Sequence, residues 1–524
     1  VGLPPRSGGI LMKKFSHLTR ISALLAFFFA LDKGVAFIRQ VIIARQFGLS
    51  VELDAFNVAN NVPDLLYALI SGGALAMALI PVLSATLTTE GRRSAWDLFS
   101  RIANLVFMVT AGMSLVVALL APIMVQSEIG IAPGFGQQEQ TVVVELMRLN
   151  LIATLIFSIS GLVMSGLQAN QHFLMPAMAP ILYNVGQIFG ALILSPEKGY
   201  TIAGITLPHF GLGVHGLVYG VILGAGLHLA IQIPALLRYQ FHWIPSLGLN
   251  TAPVRSVLRM LGPRIITVFF IQLIFLIRDN LASRLAAGAV TSLTYGWMLQ
   301  QVPETLIGTA IGTAMLPTLA ALAAREDNQD FHAAIQRALR VLVGLTIPIA
   351  VVMGVGLGPL LEAVFGFGAQ GTSVLLWTTR GFLAGLVGHS LMEIASRSFY
   401  ARQDALTPML TGAINLVAYV LLGLLLYRPL GPAGISLTDA ICFTAQAIIL
   451  LTILARRLKK PLRPNGTLLR AVLAAVVGGG AAFGVQLLPF AQSRPLVFSL
   501  VAMALGGLLA LPFIWKELRL LLHL

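Results

Sequence analysis

Charge is what this sequence has least of. Of its 524 residues only 10% are Asp, Glu, Lys or Arg, while 57% are hydrophobic, and its mean hydropathy is +0.88. A soluble domain carries about 25% charged residues. The chain therefore lacks the polar side chains to cover a globule of its length in water. That excludes a cytosolic enzyme, a nucleic-acid-binding module and a secreted disulfide scaffold. Cysteine is nearly absent too. Cys442 stands alone, so an internal disulfide and a cysteine-based metal cluster are both excluded. It sits in an apolar run and reads as an inert core thiol. No large hydrophilic domain interrupts the chain, and the longest loops, near 127–139 and 195–213, are short. The sequence has no GxxxxGK[ST] loop for nucleotide phosphates and no HExxH or convincing Ser-His-Asp order.

What is present is hydrophobic length. A membrane-crossing helix needs about 20 predominantly apolar residues, and about fourteen such segments are legible by that criterion. They lie near 21–46, 54–84, 98–126, 140–167, 174–195, 213–237, 258–285, 290–322, 338–365, 372–400, 405–427, 431–455, 468–489 and 494–516. No strand-like alternation competes, which argues against a membrane β-barrel. The expected fold is an all-α polytopic membrane protein. It has a leader over 1–20, an amino-terminal lobe over 21–240 (six helices), a carboxy-terminal lobe over 254–458 (six helices) and a final helix pair over 466–520. Met12-Lys13-Lys14 resembles a more natural start than Val1, and the first apolar run, too long for a signal peptide, reads as a retained helix. The net charge of +14 then has a topological meaning. With both termini in the cytoplasm, most Lys and Arg fall on cytoplasmic segments, and only Arg45, Lys198, Arg284, Arg428 and Arg494 fall opposite. The basic balance is thus membrane topology and lipid contact, with no need for nucleic acid.

The chain repeats itself. IRQVIIAR in the first segment (Arg39, Arg45) returns as IRDNLASR in the seventh (Arg278, Arg284). NNVPDLL in the second (Pro63, Asp64) returns as QQVPETL in the eighth (Pro303, Glu304), and each reaches a second proline, Pro81 and Pro317. ANQHFLMP between the fourth and fifth segments returns as ARQDALTP between the tenth and eleventh. Two lobes of the same topology follow, with an even number of helices each, so the repeats are parallel. Transporters built this way hold substrate where the repeats meet and alternate access by rocking them. The last two helices lie outside the repeat, as an extra groove or an anchor.

The ionisable residues inside spans carry the chemistry. Each costs roughly 2.5–3.5 kcal/mol or more against lipid, so each needs a cavity or a partner. They are Asp32, Lys33 and Arg39 in the first segment, Asp54 and Asp64 in the second, Arg278 and Asp279 in the seventh, Glu304 in the eighth, and Arg380, His389, Glu393 and Arg397 in the tenth. Internal pairs such as Asp32–Arg39, Arg39–Asp54 and Glu393–Arg397 are the plain reading. As a set, they point to a polar cavity between the lobes, in which Lys33, Arg39 and Arg278 would suit an anionic substrate group such as a pyrophosphate, with Asp32 and Asp54 as further substrate-binding candidates. His389 and Glu393, four apart, read as a satisfied polar pair. Asp279, Asn415 and Asp439 are oxygen ligands of the type that hold a sodium ion, with separate capping or packing roles as the alternative. His215 reads as a loop residue and His228 as an ordinary buried hydrogen-bonding group rather than proton carriers. Gly34, Pro63, Gly72, Gly73 and Pro303 break helices and are candidates for gating or for architecture shared by the repeats.

At these residues the sequence resembles a known family. GVAFIRQVIIARQFGLSVELDAFNVANNVPDLLYALISGGALAMALIPVLS, with GPRIITVF, VPETLIGTAIGTAMLPTLA and FYARQDALTPM, is similar to the MurJ/MviN lipid II flippases of the multidrug/oligosaccharidyl-lipid/polysaccharide exporter superfamily. The resemblance covers nearly the whole chain. It implies fourteen helices, two six-helix lobes around a central cavity and a groove for the lipid tail formed by the last two helices. The implied activity is moving undecaprenyl-pyrophosphate-linked peptidoglycan precursor from the inner to the outer leaflet of the bacterial inner membrane. The implied drive is membrane potential or a cation gradient, with no cofactor. Peptidoglycan-synthesis proteins and membrane lipids are the implied partners beside the lipid substrate. Arg39, Arg45, Asp54, Pro63 and Pro81 match family positions. The sequence departs from the family pattern elsewhere. Asp32-Lys33 stands where the family often has Ser-Arg, Tyr67 and Ala68 where it has an Arg pair, and Met298 and Gln301 where it has Arg and Glu before Pro303. These departures bear on the substrate, and Arg278 would compensate from a new direction. A different polyprenyl-linked saccharide and a non-transporting wall-synthesis scaffold stay open as alternatives. A membrane glycosyltransferase or ligase fits less well, because external loops are short. A drug or cation antiporter would want an acidic cavity.

Overall fold

In the computed structural model the described residues are 11–70, 73–202, 204–464, 466–488 and 494–521. They form a helical protein. In the first half of the chain the helices are α1 (Leu11–Phe47), α2 (Val51–Ile70), α3 (Gly73–Thr89), α4 (Arg92–Gln126), α5 (Gln137–Ala169), α6 (Leu174–Phe189), α7 (Gly213–Ala230) and α8 (Ile233–Arg238). In the second half they are α9 (Ala252–Ser283), α10 (Ala289–Glu304), α11 (Ala310–Ala324), α12 (Asn328–Gly356), α13 (Gly358–Phe365), α14 (Gly368–Ala384), α15 (Leu386–Ala401), α16 (Leu406–Leu430), α17 (Pro432–Leu458), α18 (Thr467–Gln486) and α19 (Pro495–Leu521). The strands among the described residues are a two-residue pair, Thr201–Ile202 with Ile205–Thr206, in the loop before α7.

Each of the fourteen apolar segments coincides with one helix or with two consecutive ones. Ten helices among the described residues are long and apolar enough to cross a membrane. For two of the segments outside that set the causes are local. The segment at 372–400 is divided into α14 and α15, of 17 and 16 residues, and α2 carries Glu52, Asp54 and Asp64. The leader expected over 1–20 also differs, since helix begins at Leu11; residues 1–10 lie outside the described residues. Gly72 lies outside them as well, and Gly73 opens α3. Pro63 is accommodated inside α2, whereas Pro303 is followed by a π-helical turn, Thr305–Thr309. Such a turn is how a helix absorbs a disrupted hydrogen-bond ladder.

The chain forms two compact units whose membership departs from the expected lobes. The first holds the described residues before 47, together with 59–122 and 141–269. The second holds 47–58, 123–140 and the described residues from 270 onward. Two short pieces of the amino-terminal half therefore pack with the carboxy-terminal half.

The core of the first unit gathers Leu79, Trp96, Phe99, Leu162, Leu167 and Val254. There Trp96, Phe99 and Phe241 meet edge to face at ring separations of 5.5–5.6 Å. The π-helical turn that continues α6, Gly190–Leu194, approaches α7 through glycine. A Cβ on Gly190 would lie 2.7 Å from the Gly220 Cα, and one on Gly220 would lie 2.8 Å from the Gly190 Cα. In lipid, where burial of apolar surface adds little, such close backbone contact is what holds helices together. The core of the second unit is built on α12, with Phe331, Ile335, Leu339 and Leu342 packed by Phe399, Leu450 and Leu454. The last two helices belong to this unit. Glu517 of α19, fully buried, accepts from Thr467 at 2.8 Å and pairs with Arg470, with Arg340 of α12 at 3.7 Å.

The sequence repeat is also a backbone repeat. Gln171 and Gln403 both take left-handed conformations, with φ of 58° and 59°. The same pair of turn bonds surrounds each: Gln171 N–H to Gln168 and His172 N–H to Leu167, Gln403 N–H to Tyr400 and Asp404 N–H to Phe399. This is the six-to-one closure of a helix end. The second copy adds a carboxylate. Asp404 accepts from the Thr407 N–H (2.9 Å), the Thr407 hydroxyl (2.7 Å) and Arg457 (2.6 Å). Partial burial raises its pKa, but these three donors outweigh that and hold it at about 2.

Two predictions follow from these contacts. Gly220→Leu forces α6 and α7 apart, and the purified protein should lose helical CD signal at a clearly lower temperature than wild type, while Gly226→Leu, where a Cβ meets open space, should not. Asp404 has a lower pKa folded than unfolded, where it is about 3.9. Its contribution to stability is therefore complete above pH 4 and fades as pH falls toward 2. Asp404→Asn should remove that part of the acid dependence in a denaturation series.

Candidate functional site

The ionisable residues of the spans separate into those with partners inside the fold and those left open. On α1, Asp32 and Arg39 do not stack directly across two turns. Asn184 of α6 bridges them, accepting from Arg39 Nη1 at 2.7 Å and donating from Nδ2 to Asp32 Oδ1 at 2.8 Å. Lys33 and Gly34, between them, are exposed, and no atom stands within 4 Å of a Cβ at Gly34. Asp64 of α2 is exposed, and among the described residues no hydrogen bond or ion pair engages it. Next to it, Tyr67 begins an aromatic series: its ring lies 5.6 Å from Phe157, and Phe157 lies 4.9 Å from Tyr183. The first unit thus carries a polar wall with Arg39 at its basic end and an acidic carboxylate at Asp64, while Lys33, six residues before Arg39 and so about 120° round α1 from it, stands exposed on an adjoining face. Tyr67, standing where the resemblance expects arginine, is part of that wall. Asn184 and the aromatic series were missed in the sequence. The signal for Asn184 was a lone amide within an apolar run; for the rings there was none.

Asp54 does not belong to this wall. It is 1% exposed and serves the start of α10. Its Oδ2 accepts from the Gly288 N–H at 2.7 Å, and its Oδ1 from the Thr291 N–H at 2.7 Å and the Thr291 hydroxyl at 2.6 Å. The first N–H groups of a helix have no partner within it. Asp54 supplies one from another helix, with its charge at the favourable end of the dipole. Asn57 adds a bond to the Thr291 hydroxyl at 3.0 Å. Gly288, at φ 85°, sits where any Cβ would strike Leu49. Nearby in the same unit, Arg284 reaches the Glu128 carboxylate at 2.9 Å and its carbonyl at 2.8 Å. These contacts form a clasp that holds 47–58 and 123–140 in the second unit. The expected substrate role of Asp54 gives way to this structural one.

Arg278 likewise turns inward. It is 6% exposed, bonds Asp279 at 3.4 Å and lies over the Phe275 ring at 4.9 Å. A guanidinium so placed is spent inside its own unit, so the expected compensation for the absent arginines is not provided by Arg278. Met298 is half-buried and apolar. The three sodium candidates are also engaged separately. Asp439 accepts from His389 at 2.7 Å, Asn415 donates to Gln446 at 2.8 Å, and Asp279 pairs with Arg278. Among the described residues no group of three His, Cys, Asp or Glu could hold a metal ion. His389 therefore does not pair with Glu393, which binds Arg397 as expected. His228 is the ordinary buried group anticipated, 2.6 Å from Ser160. His215 lies within the first turn of α7, beside Glu145 at 3.2 Å, rather than in a loop. Cys442 is buried.

Comparison with known proteins assigns the class and then the family. The fold is that of multi-pass transporters. It matches a solved structure described as a lipid II flippase MurJ in an inward closed conformation, with a TM-score of 0.76 at 18% identity, over 95% of this chain and all of that one. It also matches an inward-facing multidrug resistance MATE transporter of the MOP superfamily, with a TM-score of 0.65 at 15% identity, over 81% of this chain and 94% of that one. At such identities these matches establish the fold. The family model described as Lipid II flippase MurJ matches residues 43–504, and the chain belongs to that family. Among its relatives are the lipid II flippase MurJ of Burkholderia cenocepacia, 29% identical over 453 residues and 84% of each chain. Another is the probable lipid II flippase MurJ of Haemophilus influenzae, 26% identical over 472 residues, 86% of this chain and 89% of that one.

The clasp can be tested by substitution. Asp54→Ala leaves two main-chain N–H groups and a hydroxyl without their acceptor, at a cost of about 1–3 kcal/mol. The thermal midpoint of the purified protein should fall by several degrees. Asp54→Asn, which keeps one acceptor oxygen, should fall less.

Proposed function

We propose that this chain is a lipid II flippase, moving the undecaprenyl-pyrophosphate-linked peptidoglycan precursor from the inner to the outer leaflet for cell wall synthesis. The observation that carries this reading is membership of the MurJ family across residues 43–504. It is supported by two cations of α1, Lys33, which is exposed, and Arg39, which Asn184 holds in place. Two cations of this kind suit a pyrophosphate, and a guanidinium can bind its oxygens bidentately. Movement is by alternating access, in which 47–58 and 123–140 part from α9 and α10 and the clasp at Asp54 and Arg284 opens. The protein works in the bacterial inner membrane with both termini in the cytoplasm, as the distribution of basic residues implies. Membrane potential or a cation gradient drives the cycle, and peptidoglycan-synthesis proteins are its partners. Chemistry on the substrate is not part of this reading; the activity is transport.

A second reading has a specific observation behind it. Tyr67, Ala68 and Met298 stand where the resemblance expects arginines, which favours a head group less anionic than that of the family's usual cargo, on the same polyprenyl carrier.

Complementation decides between them. In cells depleted of their own lipid II flippase, the wild-type chain should restore growth, and Lys33→Ala and Arg39→Ala should lose that rescue at equal membrane expression. Wild-type expression without rescue would transfer weight to the second reading.

A further inference from the structure

Asp64 lies thirteen residues past the start of α2 at Val51, about 20 Å along the helix at 1.5 Å per residue. It lies within the second apolar segment, 54–84. A carboxylate there is costly unless it meets water or a partner. The fold gives it no partner: no hydrogen bond or ion pair engages it among the described residues, and its side chain is exposed. Neither Lys33 nor Arg39 of α1 is seen to pair with it. Arg39 is turned to Asn184, which in turn holds Asp32. Asp64 is thus an exposed acid in the apolar stretch of α2 with no protein partner among the described residues.

Its surroundings are aromatic. Tyr67 is one helical turn further on, so the two side chains share a face. Phe157 and Tyr183 continue the surface at 5.6 Å and 4.9 Å, tilted by 55° and 78°. All three rings are half-buried, leaving part of each accessible. The Tyr183 hydroxyl lies in the electrostatic field of both Asp64 and Arg39, which places the acidic and basic ends of the wall around one side chain. An open carboxylate repels phosphate. A carboxylate flanked by π faces is the chemistry that recognises an organic ammonium, through charge on one side and ring quadrupoles on the other.

We propose that Asp64, with Tyr67, Phe157 and Tyr183, is a specificity site that binds a primary ammonium on the peptide of the lipid-linked cargo, while Lys33 and Arg39 take its pyrophosphate. The inference rests on the cargo reading given above. It accounts for the departure at Tyr67, since an arginine there would repel the same ammonium. Selectivity is for a head group with a free amine, and it comes from the amino-terminal unit.

The test uses the full-length protein in lipid nanodiscs and two forms of lipid II, one with its peptide amine free and one N-acetylated at that amine. Wild type should bind the free-amine form about tenfold more tightly, an effect of the size of a desolvated cation–π and charge contact. Asp64→Asn should bind both forms alike, at the affinity wild type shows for the acetylated one, and Tyr67→Leu should narrow the difference severalfold. Equal binding of both forms by wild type would overturn the ammonium site and leave the cargo reading intact. Discrimination persisting in Asp64→Asn would show that acetylation acts through bulk, and would overturn it as well. Binding of neither form by wild type would overturn the cargo reading and this inference with it.

Discussion

An ionisable group on a membrane-spanning helix must have either a partner or water, because hydrocarbon offers neither. That constraint sorts the charged residues of this protein. Asp54, Arg278, Asp279, Asp439 and Glu517 are buried and each has protein partners. Asp54, Asp439 and Glu517 fix helices to one another, while Arg278 and Asp279 pair within α9. Lys33 and Asp64 are left exposed, and Arg39 is anchored near them by an amide. The same residue types thus serve two purposes, and what separates them is whether the fold completes their hydrogen bonding.

The partnered group explains the mechanics of the second unit. The charge at the amino end of α10 is met by a carboxylate from α2, so a bond between distant parts of the chain doubles as a helix cap. Such a cap is strong while its geometry holds and is lost whole when the helices part. A transporter needs contacts of this sort, which make each conformation distinct without making it permanent. At the carboxy-terminal end, Glu517 does the opposite duty, tying α19 to α18 and α12 through two arginines and a threonine and leaving the last helix pair a fixed part of its unit.

Much of the fold was legible in the sequence because lipid leaves the backbone little choice. A spanning segment must satisfy its own N–H and C=O groups, so apolar length reads directly as helix. The repeat was legible for a local reason, since Gln171 and Gln403 close two helix ends with the same left-handed turn. The break after Gly385, between α14 and α15, gave no comparable signal. The site was legible only in part. Residue types inside spans announced that charge was there, but which charge meets which depends on helix packing across long sequence separations. Asp54 and Thr291 illustrate this, as does Asn184 between Asp32 and Arg39. Arg278 differs: its partner is its own neighbour, Asp279, and what the sequence hides is the burial of both.

The division between open and partnered charges is the centre of this account, and one measurement addresses it directly. With Cys442 replaced by Ala, single cysteines introduced as Lys33→Cys, Asp64→Cys, Asp54→Cys and Arg278→Cys would be exposed to a water-soluble maleimide in native membranes opened to both faces. Positions 33 and 64 should label rapidly, and positions 54 and 278 should label only after denaturation. Rapid labelling at 54 and 278, or protection at 33 and 64, would contradict the division of these residues into buried, partnered groups and open ones.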